Sequence, residues 1–149
     1  MLVKVALTAM ALGIGLAFAM QSGINAGLGR ALGSAILAAL VSFAVGTVAL
    51  IGMVLVTGQI GAAGNLRGLP VWLWLSGGLF GAFIVYGSIC LVPRIGVAAL
   101  AAFVIAGQLT AAAVIDHFGI FGVPVHEINV ARIAGIFMLL SGALLVRLA

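Results

Sequence analysis

The chain has 149 residues, of which 66% are hydrophobic and 5% are charged, whereas a soluble domain is about 45–50% apolar and about 25% charged. A fold of this size cannot bury so much apolar surface, so the composition excludes a soluble domain and predicts a membrane protein. The net charge of +4 comes from basic residues that stand singly between apolar runs, which excludes a nucleic-acid-binding surface and leaves lipid as the surroundings.

Five apolar stretches approach or exceed the roughly 20 residues that a membrane-crossing helix needs. In chain order they are residues 5–26, 31–56, 70–92, 95–115 and 131–148. The first resembles a signal peptide that ends at Ala17-Phe18-Ala19, but three more spans follow before Asp116, so we interpret it as a retained helix. The predicted fold class is all-α: a polytopic transmembrane helix bundle that forms a single domain over residues 1–149.

Three polar or irregular stretches separate the later spans. Residues 58–69 are rich in glycine and predict an exposed loop, Pro93-Arg94 predicts a tight break, and residues 116–130 are the most polar part of the chain. Trp72 and Trp74 open the third span, at the depth where aromatic side chains favour the membrane interface.

Orientation follows from the basic residues, which normally accumulate on the cytoplasmic side. Five spans put the termini on opposite sides and leave three basic side chains on each: Lys4, Arg67 and Arg132 against Arg30, Arg94 and Arg147. One interpretation is a weak bias toward a cytoplasmic N-terminus. The other is dual topology, in which copies insert both ways and pair antiparallel, as the inverted repeats of transporters do.

Four polar side chains inside the spans are candidates for solute binding. Gln21 and Asn25 are four residues apart and share one helix face, where they either line a cavity or join two helices. Gln108 lies deep in the fourth span, so it faces a cavity or another helix rather than lipid. The hydroxyl of Tyr86 bonds either a solute or a backbone carbonyl.

Asp116 and His117, at the end of the fourth span, are the candidates for proton coupling, because His titrates near neutral pH. The alternative is a wetted helix end, with Asp116 paired to Arg132 or Arg94. No metal cluster, phosphate loop or nucleophile motif is present, so we predict no enzyme, no metal and no cofactor.

Small residues predict local structure elsewhere. Ser42, Thr47 and Ser88 are expected to bond their own helix backbone. Small-xxx-small spacings predict close helix packing: Gly23 and Gly27, Gly29 and Gly33, Ser42 and Gly46, and Gly77 and Gly81. The glycines between Gln21 and Arg30 make that segment a poor helix, and we expect it to unwind.

The chain resembles the YdcZ-type group of the drug/metabolite transporter superfamily over nearly its whole length. The resemblance rests on several short motifs: residues 21–26 (QSGINA), Ser42-Phe43 with Gly46-Thr47, residues 77–81 (GGLFG), Gly107-Gln108, residues 115–119 (IDHFG), and Arg132, Gly135 and Gly142. It implies a bacterial inner-membrane protein of half size, which would have to dimerise to match ten-helix relatives built from two inverted repeats. A homodimer or a heterodimer with a paralogue is implied.

One departure bears on the solute. The related four-helix multidrug exporters carry an acidic residue in their first helix, and this chain has none before Asp116. A cation would lack a counter-charge there, so we expect a neutral, zwitterionic or anionic solute. The leading hypothesis is transport of a small metabolite or drug-like solute by alternating access in an antiparallel dimer. The alternatives are a non-transporting subunit of a membrane assembly and a small-solute channel.

Overall fold

The computed structural model describes residues 2–148, without the side chains at positions 2, 4 and 65–67. Within these residues the chain forms four long α-helices: α1 (Leu2–Leu32), α2 (Ala35–Val56), α3 (Val71–Phe118) and α4 (Val130–Leu148). Short 3-10 helices, Gln59–Gly68 and Ile120–Gly122, lie in the connections, and the described residues contain no β-strand. All four long helices are apolar and long enough to cross a membrane, which confirms the predicted fold class.

α3 is too long for one crossing. Its 48 residues would extend about 70 Å as a helix, whereas the hydrocarbon core is about 30 Å thick. The backbone leaves helical geometry at Gly96, with φ 79° and ψ 164°, shortly after Pro93, whose ring disrupts the preceding turn. The segments 71–95 and 97–118 are each as long as one crossing. The break thus lies at Gly96, slightly beyond the predicted Pro93-Arg94.

The turn between α1 and α2 is built by Gly33 and Ser34. Gly33 has φ 64°, a left-handed conformation that strains any residue with a Cβ. Its amide donates to the carbonyl of Arg30, and the amide of Ser34 donates to the carbonyl of Gly29, which is a Schellman motif. The Ser34 hydroxyl accepts from the amide of Leu37 at 3.2 Å and caps α2. These bonds set the direction in which the chain re-enters the membrane.

α1 continues as a helix through residues 21–30 to Leu32. The expectation that its glycines unwind this segment is therefore wrong, and the helix continues six residues beyond the predicted first span, which ends at residue 26. The physical reason is packing. A Cβ on Gly29 would lie 2.6 Å from Cγ2 of Ile89, so the glycine permits close contact with α3, and tertiary packing outweighs low helix propensity.

Small side chains fill the interior, and large ones cover the surface. The most deeply buried hydrophobic residues are alanines: Ala26, Ala38, Ala106 and Ala143. Large apolar side chains are exposed along every long helix, and among the described residues no large side chain is fully buried. This arrangement is the reverse of a soluble core and fits helices that pack through small residues while their large residues face lipid.

The chain divides into two compact units, Met1–Pro93 and Arg94–Ala149, which we call the first and the second unit. In the first unit, α1, α2 and segment 71–93 pack around Ala38, Ala39 and Ile89. In the second unit, segment 97–118 and α4 form a helical hairpin joined by residues 119–129. The single-domain organisation stays a prediction.

Candidate functional sites

The buried amide of α1 binds α2. Asn25 is 7% exposed, and its Nδ2 donates to Oγ of Ser42 at 3.0 Å. A buried amide without a partner is costly, above all in lipid, so this bond accounts for a polar residue inside the bundle. Ser42, which the sequence predicts to bond its own helix backbone, also accepts this bond from the neighbouring helix. Ser88 does bond its own helix, donating to the carbonyl of Ile84 at 2.7 Å.

A cleft of about 190 Å³ lies beside this bond in the first unit. Gln21, Ser42 and Thr47 form its polar lining. The other walls are apolar or small: Phe43, Gly46, Leu50 and Val85. Thr47 is the thirteenth of the 22 residues of α2, so the cleft reaches the middle of a membrane-crossing helix. Substrate sites of transporters lie near this depth. We call it the mid-depth cleft.

Tyr86 and Gln108 lie outside the mid-depth cleft. Tyr86 lines a neighbouring cleft of about 320 Å³, whose other walls are apolar: Ile36, Ala39, Leu40, Phe43 and Ala82. Phe43 borders both clefts, so the two clefts share one wall. Gln108 belongs to the second unit, where its side chain is exposed on segment 97–118.

In the second unit, Asp116 pairs with Arg132. Nη1 of Arg132 lies 3.4 Å from Oδ2 of Asp116, and both side chains are 37% exposed. Asp116 is the third residue from the end of α3 and Arg132 is the third residue of α4, so the pair joins the two helices at the loop end of their hairpin. Of the two partners considered for Asp116, the structure selects Arg132.

The connection 119–129 folds back onto the end of α3. The amide of His126 donates to the backbone carbonyl of Asp116 at 2.9 Å, and the amide of Ile128 donates to Nδ1 of His117 at 3.2 Å. Nδ1 of His117 is the acceptor in this bond. Arg132 also donates to the carbonyl of His126 at 3.3 Å. Both candidates for proton coupling thus help to hold this connection in place.

An apolar seam runs inward from the ion pair between segment 97–118 and α4. It encloses about 270 Å³, and the pair stands at its outer end. Its walls come from two matching stripes: Leu109, Ala112 and Ala113 on one helix, and Gly135, Ile136 and Leu139 on the other. Each stripe repeats at three, four and seven residues from the charged residue. The seam is not among the predicted sites, although the helical spacing of apolar and small residues from Asp116 and Arg132 is a signal for it in the sequence.

Metal binding finds no support in the geometry. Within the part of the chain that the structure describes, no group of three or more His, Cys, Asp or Glu side chains could hold a metal ion. The described sites contain neutral polar groups in the first unit and the Asp116–Arg132 ion pair in the second. Such groups can bind and orient a solute or a lipid by hydrogen bonds and charge.

These features define a polytopic membrane protein with a polar cleft at mid-depth in an apolar helix bundle. The chain belongs to the YdcZ family: the family profile described as "Putative inner membrane exporter, YdcZ" matches residues 6–145. The "Inner membrane protein YdcZ" of Escherichia coli (strain K12) is 29% identical over 136 residues, which cover 91% of this chain and 89% of that protein. No solved structure matches the chain.

Membership confirms the resemblance seen in the sequence motifs. The protein is a multi-pass protein of the inner membrane, as the family, the relative and the four apolar helices of the described residues agree. A family of membrane exporters supports a role in membrane transport and implies that the chain is not an enzyme.

Proposed function

We propose that the protein moves a small solute across the inner membrane by alternating access, as one half of an antiparallel dimer. The observation that carries the proposal is the mid-depth cleft. Gln21, Ser42 and Thr47 converge on it from two apolar helices. Polar groups at this depth are costly unless they serve a cavity, a partner or a transported solute.

Each candidate residue has a distinct role in this proposal. Gln21 and Thr47 contact the solute directly, since an amide and a hydroxyl can both donate and accept. Asn25 positions Ser42 through the 3.0 Å bond and so orients the hydroxyl toward the cleft. Tyr86 contacts the solute in the neighbouring cleft, which shares Phe43 with the mid-depth cleft. Gln108, exposed on segment 97–118 of the second unit, is a solute contact of that unit.

The dimer follows from the number of crossings. Transporters commonly combine two inverted repeats around a site at the bilayer midplane, and five crossings amount to one repeat. The balance of basic residues, three on each side in the sequence, favours insertion in both orientations. Two of those six, Lys4 and Arg67, have side chains outside the described residues. The partner is a second copy of the chain, and a paralogue is the alternative.

The solute is neutral, zwitterionic or anionic in this proposal. The polar lining of the mid-depth cleft carries no charge, and Asp116 already has Arg132 as its counter-ion. An unpaired cation inside the membrane would lack compensation. Asp116 and His117 are the groups that couple transport to protons. A proton on Asp116 weakens its ion pair with Arg132, and a proton on Nδ1 of His117 removes the bond from the amide of Ile128.

Water access to the mid-depth cleft is the first test. In a chain with Cys90→Ala, single cysteines at Gln21 and Thr47 should react with a charged, membrane-impermeant thiol reagent, and an excess of transported solute should slow the reaction. The matched control is Val48→Cys, next to Thr47 on α2 but 70% exposed on the apolar surface, where a thiol in lipid does not ionise and stays unreactive. If Thr47→Cys reacts no faster than Val48→Cys, the cleft is closed to water. That result would favour the alternative function, a non-transporting subunit of a membrane assembly.

Orientation and mode of transport need separate tests. Each terminus should carry a tag that is probed in whole cells. In a dual-topology protein, each tag should be accessible from outside in one part of the molecules and protected in the rest. A single fixed orientation would eliminate the antiparallel homodimer. Uptake into vesicles should saturate with solute concentration, whereas a channel would pass solute in proportion to concentration.

Proton coupling is tested at Asp116. Asp116→Asn keeps the size of the side chain and removes its charge, so the dependence of transport on pH should flatten. Arg147→Gln, at the other end of α4, is the control for loss of an exposed charge. A profile that matches the unsubstituted chain would remove Asp116 from the mechanism.

A further inference from the structure

We infer that the apolar seam beside Asp116 and Arg132 binds a phospholipid with a primary-amine headgroup. The inference concerns the second unit and is independent of solute transport through the mid-depth cleft. It rests on the depth of the ion pair, on the spare bonding capacity of its two members, and on the shape of the seam.

The ion pair lies where headgroups lie. Both residues stand within three residues of a helix end, and the connection beside them carries His126, Glu127 and Asn129. From there the seam runs seven residues along each helix, to Leu109 and Leu139, a distance of about 10 Å at 1.5 Å per residue. A ligand here has its polar end at the membrane interface and its apolar end directed toward the bilayer interior, which is the arrangement of a membrane lipid.

The pair retains bonding capacity on both sides. A guanidinium has five N–H donors and a carboxylate has about four acceptor positions. The bonds to Oδ2 of Asp116 and to the carbonyl of His126 both leave from Nη1 of Arg132. At 3.4 Å and 37% exposure of both side chains, the pair is long for a charge-assisted hydrogen bond and open to a ligand.

A headgroup with one positive and one negative end complements this pair. Its phosphate accepts from the guanidinium of Arg132, and its ammonium donates to the carboxylate of Asp116. An ethanolamine headgroup carries both groups, joined by an ethylene bridge, so that it can reach neighbouring partners together. A choline headgroup carries the same charges but has no N–H to donate, and a glycerol headgroup has no cation at all.

The seam accommodates the start of an acyl chain. The small residues of its lining leave space between the two helices: Ala112, Ala113 and Gly135. The larger residues provide apolar contact: Leu109, Ile136 and Leu139. A volume of about 270 Å³ is slightly below the range of ordinary ligand pockets, which begins at about 300 Å³, and it suits a headgroup neck and one chain segment and not a whole lipid. The remainder of the lipid stays in the bilayer.

The test is titration of the detergent-purified full chain with defined lipids, followed by native mass spectrometry. Phosphatidylethanolamine should bind about tenfold more tightly than phosphatidylcholine with the same acyl chains, the effect of roughly one charge-assisted hydrogen bond. Asp116→Asn should abolish that preference while both lipids still bind. Arg132→Gln should weaken both lipids, and Arg147→Gln should change neither.

A second variant guards against misfolding at the pair. Ala112→Leu fills the seam from an exposed position without touching either charge, and it should weaken both lipids equally. Binding of free phosphoethanolamine as tightly as the intact lipid would overturn the inference in favour of a water-soluble zwitterion. Equal affinity for the two lipids in the unsubstituted chain, or a preference that survives Asp116→Asn, would also overturn it.

Discussion

The two helical hairpins of the molecule are held together by opposite means. α1 and α2 meet through a two-residue turn and a buried neutral bond between Asn25 and Ser42. Segment 97–118 and α4 are joined by the longer connection 119–129 and by the half-exposed ion pair of Asp116 and Arg132. The difference follows from depth. Away from water, burying a charged or unpaired polar group costs much free energy, so the polar groups there are neutral and paired. At the interface, water and headgroups can solvate a charge.

The comparison assigns different sensitivities to the two hairpins. Substitutions in the first should act through packing and backbone conformation and should not respond to salt. Substitutions in the second should act weakly and should respond to salt, because exposed charges are screened. Four measurements of thermal unfolding in detergent test this contrast, and they follow from the largest expected effect to the smallest.

Gly29→Ala should have the largest effect, a loss of about 2–3 kcal/mol, which is typical of overpacking. The added Cβ would lie 2.6 Å from Cγ2 of Ile89, a β-branched methyl that cannot swing away easily. Gly52→Ala in α2 is the matched control, since nothing lies within 4 Å of its Cβ position and alanine favours the helix. Ile89→Ala should cost less in the Gly29→Ala background than alone. Equal effects of both alanines would mean that α1 and α3 are not closely packed.

Gly33→Ala should cost about 1–2 kcal/mol, because its φ of 64° strains a residue with a Cβ. No neighbour lies within 4 Å of the Cβ position, so the whole effect is conformational. Gly33→Asn should cost less, since asparagine tolerates the left-handed region better than alanine. If both substitutions cost the same, side-chain contact and not backbone conformation determines the stability of this turn.

The Asn25–Ser42 bond should show a coupling of about 0.6 kcal/mol, and at most about 1.7 kcal/mol, in a double-mutant cycle with alanine. The coupling should be the same at low and high salt, because both partners are neutral. Ser88→Ala serves as the control, since its hydroxyl bonds only the carbonyl of Ile84 within its own helix. Additive single substitutions would show that the two helices do not depend on this bond.

The Asp116–Arg132 pair should show the smallest coupling, roughly 0.2–1 kcal/mol, as exposed ion pairs do. Raising the salt concentration from low to about 1 M should remove most of it, since the Debye length falls to about 3 Å. A cycle with Asp116→Asn and Arg132→Gln measures the coupling with little change in size. A coupling larger than that of Asn25 and Ser42, unchanged by salt, would contradict the proposed contrast between the hairpins.

Much of the architecture could be predicted from the composition and from the positions of polar residues, glycine and proline. The excess of apolar residues requires lipid as the surroundings, and the length of each run determines whether it can cross a bilayer. The stretch 131–148 coincides almost fully with α4, because charged and polar residues precede it and nothing interrupts it. The sequence predicts the break in the long α3 run to within a few residues, since proline inside a helix disrupts it.

The sequence by itself also identified which side chains needed a partner, but only the tertiary structure selected the partners. Asn25 inside an apolar span must bond something, and the packing of α1 on α2 made that partner Ser42. Asp116 had two arginines within reach along the chain, and the hairpin brought Arg132 to it. Gly29 and Gly33 share one motif, yet one permits a close contact and the other a turn. The residue type alone determines whether a side chain needs a hydrogen-bond partner or burial. Which partner it finds depends on the distances between the folded helices.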